Sequence, residues 1–242
     1  MAGQITHGVQ TGKLTTSIST PNVASSGVIF AVGTAPVQMV EGGKINEVVM
    51  ANNYAEAVQK LGYSDDWKKY SLCEVIYTAF QLYTTSPVFL VNVLDPAKQK
   101  AKKTLKAEVV ENQVKLPLEA IAESVEVDGL EKGTGFEAFY DGDKCIVEFL
   151  SDTTGEIDLT YDEVDPEQIE KDDIIGGFDV TTKKSTGLEL IDSVFPRFTE
   201  IPDLIICPGW SHEGEVAAVM SAKAENINGL FEADAILDID TT

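Results

Sequence analysis

The chain has 242 residues, 43% of them hydrophobic and 8% aromatic, with a formal net charge of −22. That is long enough for one large domain or two small ones with an ample core. The negative charge argues against a nucleic-acid partner, because a polyanion is repelled. No apolar run approaches the roughly 18 residues of a membrane helix.

Residues 1–26 are dominated by Thr, Ser and Gly and show little amphipathic periodicity. They lack the basic and apolar regions of a signal peptide. Two readings stand: a frayed terminus, or an extended arm that pairs with a partner's sheet edge. Thr-rich chain favours β conformations, and the segment fully extended reaches on the order of 80 Å. Gly27 to Gly33 is an apolar run between glycines, the pattern of a buried strand. Asn53 with Glu56 forms a capping box before Ala55, Val58 and Leu61, and Gly62 closes that helix. Ser71 with Glu74 repeats the device. Leu72, Val75, Ile76, Ala79, Phe80 and Tyr83 then line one face of an amphipathic helix. Pro87 bounds it, and Val88 to Leu94 is a second buried strand.

After Pro96 the texture changes. Lys98 to Lys106 reads as a basic linker, followed by alternating apolar and charged residues. Phe136–Tyr140 and Cys145–Leu150 flank Asp141-Gly142-Asp143-Lys144, a strong hairpin signal. Ile157, Leu159 and Tyr161 continue the period of two. Glu108 to Asp173 holds 21 acidic and 4 basic residues, a balance of −17, against −5 for the remainder. Such asymmetry marks a separately solvated module. The expectation is therefore a core of α/β (α+β) type, a sheet layered with helices. It is discontinuous (27–98 and 174–242) and interrupted by an inserted acidic β-rich domain over 99–173. Leu188, Ile191, Val194 and Phe195 form a helical face, Leu204–Cys207 a strand, Val216 to Ile227 a helix, and Ala235–Ile239 a last strand.

The loop Pro208-Gly209-Trp210-Ser211 comes after a buried strand, the place where an α/β enzyme carries its site. A nucleophile elbow needs glycine two residues either side of the serine, but Glu213 stands at the second position. Ser211 reads instead as the N-cap of the next helix. His7 and His212 are far apart, and Cys73, Cys145 and Cys207 are isolated in apolar runs, so no zinc set has usable spacing. The cysteines read as buried reduced thiols of a cytosolic compartment. No glycine cluster forms a dinucleotide fingerprint or P-loop. Neither a catalytic set, a cofactor nor a metal site is expected.

The ordered motifs resemble the tail sheath proteins of contractile-tailed phages and related prophages. They are His7-Gly8-Val9, Gly27 to Pro36, Leu72-Cys73-Glu74, Phe89 to Pro96, Tyr140 to Asp143, Tyr161 to Pro166, Asp173 to Gly177 and Pro202 to Ser211 with the helix after it. The resemblance implies a non-enzymatic structural subunit that stacks in rings around a tail tube and contracts during injection. The implied partners are other sheath subunits, the tail tube and baseplate proteins, without nucleic acid or membrane. The implied location is the virion tail, with the host bacterial cytoplasm during assembly. The family's terminal arms complete sheets in neighbouring subunits, which makes His7, Val9, Leu14 and Ile18 candidate inter-subunit residues. The β-rich insert is implied to protrude on the outside.

Sheath subunits continue well beyond the strand at which this chain ends. The chain then reads as a fragment or a truncated product that does not build a contractile sheath by itself. Two other readings remain beside this one. The first is a hydrolase using Ser211. The second is a carbohydrate-binding module on the β-rich segment, with Phe136, Phe139 and Tyr140 as stacking residues, although their spacing also suits core packing.

Overall fold

The computed structural model describes residues 27–239. In chain order the first elements are Ile29–Gly33 (β1), Val49–Ala51 (β2), Tyr54–Leu61 (α1), Ser71–Tyr77 (α2) and Val88–Asn92 (β3). The Asn53 side chain accepts from the Glu56 amide at 2.9 Å, and Gly62 leaves α1 with φ +75°, as the capping signals predict. At α2 the capping expectation fails. Ser71 is the first helical residue, and its hydroxyl accepts from the Thr34 amide while its own amide donates to Thr34 Oγ1. A hydroxyl beside an unpaired loop amide 37 residues away serves that amide rather than its own helix.

Next come Lys100–Val109 (β4), Gln113–Pro117 (β5), Glu126–Val127 (β6), Phe136–Asp141 (β7), Lys144–Phe149 (β8) and Gly155–Val164 (β9). The expected linker Lys98–Lys106 is largely the strand β4, paired antiparallel with β9 from Lys100 opposite Val164 to Val109 opposite Gly155. Lys100, Lys103 and Lys106 reach Asp162, Glu163 and Glu156 on that neighbour, so cross-strand charge pairing replaces the apolar alternation that marks most strands. Gly142-Asp143 makes the two-residue hairpin between β7 and β8. Among the described residues this stretch forms two three-stranded sheets, β4–β9–β6 and β5–β8–β7. Leu116, Phe136, Val147 and Leu159 pack in a cluster of their own.

The chain then passes through Lys171–Ile175 (α3), Gly177–Asp179 (β10), Lys184–Thr186 (β11), Val194–Phe198 (α4), Leu204–Ile206 (β12), Gly214–Glu225 (α5) and Asp234–Ile236 (β13). The apolar face read around Leu188 and Ile191 belongs to a 3₁₀ helix, Gly187–Ser193, that runs into α4. Together these elements make a mixed α+β fold.

One five-stranded sheet, ordered β13–β12–β1–β3–β2, organises the rest. Its strands are parallel except β2, which pairs antiparallel with β3. Because side chains alternate across a strand, the sheet buries both faces. Phe30, Val32, Phe89, Val91 and Ile205 meet Leu188, Ile191 and Met220 on one side. Ala31, Val88 and Leu90 meet Leu61, Leu72 and Ile76 on the other. Leu118, Val164 and Ile169 join the first of these clusters, and Lys69 Nζ reaches Glu119 at 2.6 Å, which ties the 100–164 stretch to the sheet.

At the end of the interior strand β3 stands Asn92, fully buried. Its Oδ1 accepts from the Ala35 and Leu94 amides at 2.9 and 3.1 Å. Its Nδ2 donates to the Lys44 and Leu94 carbonyls. Every polar position of the side-chain amide is thus matched, as burial demands. Asn92→Ala orphans two buried amides at about 1–3 kcal/mol each. The expected loss is about 2–6 kcal/mol, read from the urea midpoint at unchanged m-value.

Candidate functional site

The loop after β12 turns sharply: the Trp210 and Ser211 amides both donate to the Cys207 carbonyl. Gly209 takes φ +74°, the left-handed region that glycine enters without strain. Ser211 is buried, and its hydroxyl accepts from the Asp238 amide at 2.8 Å. The Asp238 carboxylate in turn accepts from the Gly209 amide at 3.1 Å. The helix α5 starts after Glu213, whose side chain makes no capping bond. Ser211 is therefore not the helix cap expected from sequence. It pins the loop to the chain that leaves β13, because His212 and Glu213 stand between it and the first helical residue, Gly214. Its neighbour His212 lies 3.6 Å from Glu213 Oε1, on the solvent side.

Beside this loop lies a groove of about 700 Å³. Its floor is the sheet face shared by Ile29, Ile206 and Ile236, and its wall is Val75, Ala79 and Tyr83 from α2 and the turn after it. Glu74 and Asp238 are among its polar lining residues. Among the described residues the helices of this face stop short of β13, leaving Ile236 53% exposed. Tyr83 is 73% exposed although its spacing assigns it to the buried helical stripe. The reason is that α2 continues through a π turn, Thr78–Leu82. Each i→i+5 bond adds a residue to the turn and rotates the later residues off the stripe. The groove is thus invisible to a regular helical period.

The other sequence candidates separate. His7, Val9, Leu14 and Ile18 lie outside the described residues. Phe136, Phe139 and Tyr140 do not form an aromatic platform. Phe136 is buried in the β-rich cluster, and the Tyr140 hydroxyl donates to the Ala120 carbonyl and accepts from the Ala122 amide. Phe139, one residue out of phase, is the exposed one, as the period of two requires. Among the described residues no group of three His, Cys, Asp or Glu side chains is arranged to hold a metal ion. No described helix is long and apolar enough to cross a membrane.

The three cysteines are buried free thiols. Burial pushes Cys73 and Cys207 up to about 12 and Cys145 to about 11, from an ordinary value of 9.0. The unfolded chain releases these protons as pH rises past 9.0, while the folded chain keeps them. The folded state then binds more protons, so stability falls with pH.

Comparison with known proteins gives one direction. The chain is 24% identical, over 250 aligned residues covering 97% of it, to a tail sheath protein of Burkholderia phage BcepMu. The alignment covers 50% of that relative, so the chain spans about half its length. No protein-family profile matches the chain. The similarity is thus to a structural phage protein, at modest identity.

Two outcomes are expected here. Ser211→Ala should cost about 1 kcal/mol and speed hydrogen exchange at Asp238, with the first turn of α5 unchanged; protection lost in α5 instead would restore the capping role. Unfolding free energy should decline between pH 9.0 and the thiol values near 11 to 12, and a triple Cys→Ala variant should flatten that decline in urea titrations.

Proposed function

We propose that this chain is a structural subunit of a contractile phage-type tail sheath, assembling with copies of itself around a tail tube. The observation that carries the reading is the end-to-end similarity to a phage tail sheath protein, covering 97% of the chain. The same motifs that suggested the family from sequence fall at structurally demanding places. Asn92 within Phe89–Pro96 anchors the sheet, and Pro202–Ser211 forms β12 and its pinned loop. A role in architecture rather than catalysis agrees with a loop whose serine is buried in a structural hydrogen bond.

On this reading the elements at 27–98 and 174–242 form the core of the subunit, and 99–173 is an inserted acidic module. Its separate buried cluster and its two small sheets support that division. A charge of −17 between Glu108 and Asp173 suits an outward, hydrated position, where neighbouring modules repel one another. Residues 1–26 serve as an arm that adds to a neighbouring subunit, with Val9, Leu14 and Ile18 as its apolar contacts. Contraction proceeds by rearranging contacts between subunits. The place of action is the virion tail.

Light scattering over a concentration series, on the chain with and without residues 1–26, tests the arm. Association of the intact chain and a monomeric shortened chain is the expected result. Equal mass for the two at every concentration removes the arm from the proposal.

A further inference from the structure

The hairpin β10–β11 stands apart from both sheet systems. It is a two-stranded ribbon of three residues per strand, pairing Gly177 with Thr186 and Asp179 with Lys184. Such a ribbon is at best marginally stable in water alone. Its base, however, is held firmly. Gly176 and Gly187 have φ +68° and +58°, and a Cβ at either position would overlap backbone, at Gly176 the Thr186 carbonyl and at Gly187 the Ile174 carbonyl. Ile174 and Leu188 flank the base within the core, and the Gly187 amide donates to Asn46 Oδ1 at 3.1 Å.

What this base presents is a cluster of exposed apolar and cationic side chains. Phe178 is 58% and Val180 78% exposed, on a ribbon that offers them no cover. The exposed Lys183 and Lys184 come next, and their ammonium groups enter none of the ion pairs formed among the described residues. The one carboxylate of the tip, Asp179, is exposed and accepts from the Thr181 amide and the Thr182 hydroxyl, so the two lysines leave the tip a small positive excess. The tip is thus apolar and cationic on a chain of net charge −22. Elsewhere among the described residues eight lysines are matched in ion pairs, Lys100, Lys103 and Lys106 along β9 among them.

We propose that the β10–β11 tip is a heterologous contact that docks on the acidic 108–173 stretch of a second copy of this chain. Charge selects the partner: that stretch carries a balance of −17 on every copy, and neither lysine forms an ion pair among the described residues. Phe178 and Val180 supply the apolar part, with exposed Phe139 and Leu150 available on the acidic stretch. A contact between two different patches leaves each copy with one donor and one acceptor surface, which propagates or closes into a ring. It also offsets the repulsion that copies of a strongly acidic chain exert on each other. The inference rests on the self-assembly proposed above.

The test is a titration of ¹⁵N-labelled chain with unlabelled chain, read from amide spectra. Concentration-dependent shifts are expected at residues 178–185 and within 108–173. They should fade towards about 1 M salt, where the screening length is about 3 Å. Lys183→Glu with Lys184→Glu should abolish them, and Phe178→Ser with Val180→Ser should weaken them while leaving the salt dependence in place. Unchanged amide positions in the five-stranded sheet verify that each variant is folded. Shifts confined to other residues overturn the hairpin contact and leave self-assembly standing. A spectrum that does not respond to concentration at all overturns both.

Discussion

A single buried amide side chain, Asn92, sets the conditions under which this fold can close. It sits where the interior strand β3 ends, and three chain segments pass there with backbone groups in need of partners. These are the exit of β1 at Ala35, the approach to β2 at Lys44, and the chain's own departure at Leu94. Nothing in a regular sheet ladder satisfies those groups, since each lies beyond the end of a strand. The link extends further. The Asn46 amide donates to the Asn92 carbonyl, and Asn46 Oδ1 accepts from the Gly187 amide. Residues 46, 92 and 187 therefore form one polar thread between the sheet edge, the sheet centre and the base of the hairpin.

The sheet held by this thread is closed unevenly. On one face the 3₁₀ helix, α4 and α5 cover β1, β3, β12 and β13 and bury Phe30, Phe89 and Ile205. On the other, α1 and α2 pack over β1, β2 and β3, and the groove opens towards β13. The π turn after α2 carries Tyr83 away from the stripe that buries Leu72 and Ile76, and places it on the wall of that groove. Charge is distributed just as unevenly, with −17 of the net −22 between Glu108 and Asp173. Apolar surface and compensating cations are what copies of such a chain need in order to approach.

Particular residues explain which elements were legible in the sequence. The runs Ile29–Gly33 and Val88–Asn92 are buried on both faces, so their continuous apolar character is itself the signal. The helix α1 carries its start and stop in Asn53, Glu56 and Gly62, which act on amides within one turn. Gly142-Asp143 marks its hairpin for the same local reason. By contrast β2 is three residues long, and β4 is a row of lysines. Both exist because a neighbouring strand supplies what they lack, hydrogen bonds from β3 in one case and carboxylates from β9 in the other. Ser71 and Ser211 stood where helix caps belong, yet each hydroxyl serves a distant amide, of Thr34 and Asp238.

The charge asymmetry, the buried strands at the centre of the sheet and the hairpin of β7 and β8 are all written in the chain. These depend on interactions between near neighbours or on composition, and both can be read without knowing what comes close in space. Folding in three dimensions settled the strand order, the conversion of a lysine-rich segment into β4, the groove beside β12 and β13, and the exposed tip of β10 and β11. Each of these depends on which group, far away in the chain, arrives to satisfy a charge, an amide or an apolar face. Where such a partner arrives the residue is absorbed into the fold, as Lys100 is. Where none does, as at Phe178 and Lys183, it is left at the surface.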